Sequence, residues 1–164
     1  MNAKSIACIA LLAVVCGAAH AETIAVVVVD RDPPSASERT LSFVEQGAME
    51  RMFDLGHIVF NLGYDPDDEA MFVRAIYDAF DGGASYLVFL AVARGSLERL
   101  TARPVSVTVT VIDVRTERTL LETLVLATEI PRNTDMGADL LAERLGDLGA
   151  TVALESILDG ATAW

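Results

Sequence analysis

The segment Thr23 to Val29 reads TIAVVVV, a β-branched run that is apolar at every second position and also at the positions between. Successive side chains of a strand point to opposite faces, so a strand of this kind has to be covered on both sides, as in a parallel sheet layered between helices. Ser85 to Ala93 (SYLVFLAVA) repeats the pattern. Between the two lie a helix, a short strand and a second helix. Asp30-Arg31-Asp32-Pro33-Pro34 is a loop, and Ser35 with Glu38 forms a capping box. Leu41, Val44, Ala48, Met52 and Leu55 then share one helical face up to Gly56. His57 to Leu62 is a short strand. Asp65, followed by Pro66 and the acids Asp67, Asp68 and Glu69, reads as a helix start. Ala70, Val73, Ile76, Tyr77 and Phe80 are expected to face inward from that helix, and Asp81-Gly82-Gly83 ends it. The unit so far is βαβαβ, doubly wound.

The rhythm then changes. Val105, Val107, Val109 and Val111 alternate with Ser106, Thr108 and Thr110, the pattern of an antiparallel strand. Arg115 to Arg118 is a turn, Leu120 to Thr128 is a fifth strand, and Asp135 is the expected cap of a long helix. Leu141, Leu145, Leu148, Val152 and Leu158 can line one side of that helix. The element order is βαβαβββα.

Residues 1–21 carry Lys4, an apolar run from Ile6 to Gly17 and the Ala19-His20-Ala21 pattern that a signal peptidase cuts, so the expectation is a cleaved signal peptide with Glu22 first in the mature chain. The run is too short to span a bilayer permanently, and no integral membrane segment is expected after cleavage. Residues 22–164 are expected to form a single α/β domain with a short C-terminal tail. Cleavage removes the only lysine, both cysteines (Cys8, Cys16) and His20. Disulfides, thiolate chemistry, Cys-based metal sites, lysine Schiff bases and the P-loop lysine go with them. His57 alone cannot build a multi-histidine metal site, and no cofactor is expected. The mature chain has 11 arginines against 24 acids, a formal charge of −13. With its arginines scattered, such a chain repels phosphate backbones and anionic lipid, so neither nucleic acid nor a membrane surface is an expected partner.

Three phrases carry a resemblance: Ile24-Ala25-Val26-Val27, Gly83-Ala84-Ser85-Tyr86-Leu87-Val88, and Val109-Thr110-Val111-Ile112-Asp113-Val114-Arg115-Thr116. In these phrases and in its element order the chain resembles the periplasmic domain family shared by CsgG, LpoB, the TolB amino-terminal domain and FlgO. The resemblance implies a three-layer α/β sandwich with a mixed five-stranded sheet of order 2-1-3-4-5, an exported, periplasmic location and a role in binding or assembling envelope proteins. It does not indicate the oligomeric state. Two positions depart from the family pattern. Glu117 replaces the usual turn glycine, so the hairpin is expected to close differently, and Val15 stands before Cys16 where a lipobox needs a small residue, so lipid anchoring at Cys16 is not expected.

In a sheet of that order the crevice between the first and third strands gathers Asp30, Arg31, Asp32, Arg94 and Ser96. These can hold a small polar ligand or form a local ion pair. The cluster Asp65 to Glu69 lacks the glycine and glutamate spacing of an EF-hand and is explained by helix capping. His57 has no nucleophile elbow to serve and reads as a polar residue opening a strand. Trp164 is either a frayed terminus or a hook for a partner. The fifth strand, with Leu120, Glu122, Leu124 and Leu126, is an edge that another chain can extend, unless Glu129 to Asp135 folds back over it. The sequence therefore points to a non-catalytic binding or assembly module, with a ligand-binding or hydrolytic protein using the crevice as the alternative.

Overall fold

The computed structural model describes residues 21–31, 38–63, 65, 70–95, 103–131 and 136–161. The elements run β1 (Thr23–Asp30), α1 (Glu38–Asp54), β2 (Ile58–Asn61), α2 (Met71–Asp81), β3 (Tyr86–Arg94), β4 (Pro104–Asp113), β5 (Arg118–Leu126), a 3-10 turn (Ala127–Glu129) and α3 (Ala138–Ala161). The sheet order is β2-β1-β3-β4-β5. β1 pairs in parallel with β2 and β3, while β4 and β5 continue antiparallel. The expected α/β architecture and strand order are those observed.

The two faces of the sheet are covered unequally. On the first face, Ile24, Val26 and Val28 of β1, Val88, Leu90 and Val92 of β3 and Val107, Val109 and Val111 of β4 pack under α1 and α3 in the larger core. On the second, Ala25, Val27, Leu87, Phe89 and Ile112 pack with Ala75 and Ala79 of α2 in the smaller core, where α2 is the one covering helix among the described residues. The two-sided apolar runs of β1 and β3 are what allow both cores to exist.

Small residues set the helix contacts. A Cβ on Gly47 of α1 would stand 2.0 Å from the Glu143 carbonyl oxygen, and one on Gly146 of α3 would stand 2.0 Å from that of Val44. The backbones of α1 and α3 therefore touch at their crossing. Around it, α3 buries Ala142, Leu145, Ala150, Ala153, Leu154 and Ile157, whereas Leu158 is exposed and Leu148 and Val152 lie at the margin. Of the expected stripe, Leu141 and Leu145 are buried as expected, Leu148 and Val152 lie at the flank and Leu158 is outside, while Ala142, Gly146, Ala150 and Ala153 share the inward face with Leu154 and Ile157.

The same correction applies to α2. Val73, Tyr77 and Phe80, expected inside, are 53 to 61% exposed, and Ala75 and Ala79 are buried instead. Apolar residues surround more than half of this helix, and the small ones let it approach the bulky Val27, Leu87 and Phe89 beneath. Its start also differs from expectation. The N-cap is Ala70, with no side-chain cap and no acid in the first turn, so Asp65 does not cap it, and residues 66–69 lie outside the described residues. Ser35 and Asp135 lie outside them too. Leu55 follows the end of α1 and is half exposed.

The β4–β5 hairpin is a further correction. Glu117 at the turn adopts a left-handed φ of +56°, a conformation that glycine takes without strain. The Thr116 N–H donates to Asp113 Oδ1 at 2.9 Å and holds the turn. β5 begins two residues earlier than expected and ends at Leu126; Ala127 and Thr128 belong to the 3-10 turn.

Candidate functional site

At the carboxyl ends of β1 and β3 the structure brings Asp30 and Arg94 together. Arg94 Nη2 donates to Asp30 Oδ2, and both side chains are almost fully buried. The Val92–Asp30 register and the Arg31 N–H donating to the Val92 carbonyl at 3.0 Å fix this junction. Arg31 itself is exposed. Asp32 and Ser96 lie outside the described residues. Of the two alternatives for this crevice, the observed contact is an ion pair, and its side chains are buried.

A cleft of about 410 Å³ opens at the opposite end of the sheet, lined by Glu22, Phe80, Tyr86, Asp113 and Arg115 among others. Burial pushes the Tyr86 phenol above its ordinary value of 10.0, and the carboxylates of Glu22 and Asp113 add to the shift. His57 lies beside β1: its Nδ1 accepts the Glu22 N–H at 3.3 Å. This is a local strand-opening contact. A second cleft, of about 350 Å³, lies between Glu129, Ile130 and Pro131 on one side and Arg144, Asp147 and Leu148 of α3 on the other.

Among the described residues, a further exposed feature is the second face of β5 with the strip of β4 beside it. Val125 points into the large core, so alternation sends Glu122, Leu124 and Leu126 to the open side, beside the half-buried Thr108 and Thr110 of β4. Leu120 joins them at a bulge, where β5 carries one residue more than β4 between Val111 and Ile112. Leu120, Leu124 and Leu126 are 37 to 52% exposed. α2 borders this floor. Its Phe72 stacks on Phe89 of β3, with ring centroids 4.9 Å apart, and its Gly82 lies against the Phe60 ring of β2. The flank opposite Gly82, with Val73 and Phe80, is thereby turned toward β4 and β5. The sequence reading found the β5 leucines but missed this flank. The signal was present in the apolar residues at 72, 73, 76, 77 and 80, too many for one face of a helix.

β5 is also the last strand of the sheet, and among the described residues no strand pairs with its outer side. Ile130 turns into the large core and Pro131 lines the cleft beside α3, so this part of the segment does not run along the edge; residues 132–135 lie outside the described residues, as does Trp164. The Leu126 N–H donates to Glu129 Oε1 at 2.9 Å. By antiparallel alternation, the backbone groups of Glu122 and Leu124 also point outward, while those of Thr123 and Val125 point to β4.

No known protein family matches the chain, and no curated protein does. Solved structures with similarity include a point variant of PelC from Paraburkholderia phytofirmans, described as a dodecamer, at 17% identity over 79% of this chain and 86% of that one, with a TM-score of 0.49. A second PelC dodecamer from that organism is 15% identical over 81% of this chain and 88% of that one, with a TM-score of 0.49. TolB from Acinetobacter baumannii is 14% identical over 84% of this chain and 28% of that chain, with a TM-score of 0.46. Among the described residues no helix is long and apolar enough to cross a membrane.

Proposed function

We propose that this chain is a non-catalytic docking module of the cell envelope, exported by cleavage after Ala21, whose partner adds a strand to β5. The observation that carries the reading is the outer side of β5: an end strand of nine residues whose outward backbone groups lie beside an exposed leucine row. Unpaired edge groups are a ready template for another chain, and proteins that do not use such an edge usually charge it or cover it. Between Leu121 and Leu126 the only charge is Glu122. The sequence features of residues 1–21 support export, and the scarcity of lysine, cysteine and histidine in residues 22–164 supports a role without side-chain chemistry.

The test uses proline at an outward position. Leu124→Pro removes an N–H that does not serve the β4 ladder, and an edge strand tolerates it. A Leu124→Pro protein that melts like the parent is expected to lose at least tenfold in affinity for the envelope proteins that crosslink to the parent. Unchanged affinity in the folded variant refutes docking at this edge.

A further inference from the structure

The floor on the second face is the width of one helix, and the molecule carries the matching ridge. Five strands spaced about 4.8 Å apart span about 19 Å, room for two helices of about 10 Å on each face. The first face seats α1 and α3. Among the described residues α2 is the one helix on the second face; beyond it Ser106 and Ile112 of β4 are buried, and the place over the β5 leucines is open. We infer that the occupant of this place is a second copy of the chain, in a two-fold dimer where the exposed flank of α2 from each protomer lies on the β4–β5 floor of the other. The inference extends the docking reading from the edge of β5 to its face and shares with it only the exposed leucine row.

Two observations favour a second copy over a different protein. A two-fold interface needs one patch that is complementary to itself, and here the ridge (Phe72, Val73, Tyr77, Phe80) and the floor (Leu120, Leu124, Leu126) sit side by side on one surface. Their size is sufficient. Side chains of these types at 37 to 61% exposure present on the order of 700 Å², close to the roughly 800 Å² per partner of a standard interface. Charge opposes the contact only moderately. Residues 22–164 carry a formal −13 that is spread along the chain; the floor contains the acid Glu122, and the ridge helix carries Asp78 and Asp81 together with Arg74. Screening the remaining repulsion with salt is expected to tighten the dimer.

Sedimentation of the purified exported protein at concentrations up to about 100 µM is expected to show a dimer, since interfaces of this size bind in the micromolar range or tighter. Tyr77→Glu on the ridge and Leu124→Lys on the floor change exposed side chains, and each alone is expected to weaken association at least tenfold with an unchanged melting curve. Mixed together, the two variants are expected to form a heterodimer, because the new glutamate meets the new lysine across the interface. A photo-reactive side chain at position 77 is expected to crosslink in cells to a second copy at β5. A monomer throughout, a dimer indifferent to both substitutions, or crosslinks from position 77 only to another protein or to lipid would each overturn the inference. Because Leu124→Pro also removes a floor leucine, edge capture is compared between Leu124→Pro and Leu124→Ala, which loses the same side chain but keeps the N–H. A monomer that still captures its partners sinks the dimer alone, and a dimer for which Leu124→Pro captures as well as Leu124→Ala sinks strand addition alone.

Discussion

Glu117 holds a left-handed backbone at the tip of the β4–β5 hairpin, where an L-residue with a Cβ is strained by about 1–2 kcal/mol. Glu117→Gly relieves that strain at some cost in chain entropy, so the variant is expected to be more stable by about 1 kcal/mol and to melt a few degrees higher. A lower melting temperature would show that the glutamate side chain supports the turn. Tyr86 gives a pH dependence of definite sign. Its folded pKa is raised, chiefly by burial and then by Glu22 and Asp113, so the fold favours the neutral phenol. The corresponding stability is fully present below the unfolded pKa of about 10 and is lost as pH rises through the folded value. Alkaline unfolding of Tyr86→Phe is therefore expected to begin at higher pH than that of the parent, and coincident profiles would contradict this. At the β1–β3 junction, Arg94→Met deprives the buried Asp30 carboxylate of its guanidinium. Removing one partner of a buried ion pair costs about 3–5 kcal/mol, and chemical denaturation is expected to show a loss of that size.

At the scale of elements, the strands and the inward face of α1 (Val44, Ala48, Met52) were legible in the sequence, and the faces of α2 and of part of α3 were not. The strands of β1, β3 and β4 reveal themselves because a period of two leaves no ambiguity about which residues share a face, and two-sided apolar runs demand two covering layers. Those faces were read from large apolar residues, and at the contacts the molecule uses small ones. α2 meets the sheet through Ala75 and Ala79, and α3 meets α1 through Gly146, while Tyr77, Phe80 and Leu158 stay outside. A large side chain contributes more buried area, but it also keeps two backbones apart. Where helix and partner approach closely, alanine and glycine lie at the contact. Gly146→Ala tests this directly. Its Cβ would stand 2.0 Å from a main-chain oxygen, which no rotamer change relieves, and the expected loss is about 3 kcal/mol. A neutral effect would mean that α1 and α3 can separate freely.

For the molecule as a whole, among the described residues two helices cover one face of the five strands and one helix the other. The candidate site follows from that asymmetry. Sequence reasoning located the β5 edge because strand order, once assumed, decides which strands are terminal. It did not locate the open floor beside α2, since that depends on how many helices fall on each side of the sheet and on which flank α2 turns outward. It placed Asp30 and Arg94 together correctly but could not foresee their burial, which depends on packing at the junction. The buried pair joins β1 to β3 at the crevice, and the exposed surface of β5 is the site proposed for recognition. That claim is tested most directly by residue-resolved amide hydrogen exchange, on the protein alone and crosslinked to its envelope partner. The outward N–H groups of Glu122 and Leu124 are predicted to exchange fast in the free protein and to become protected in the complex, with little change at Thr123 and Val125, which already bond to β4. Fast exchange at Glu122 and Leu124 in both states, with protection appearing elsewhere, would contradict docking at β5.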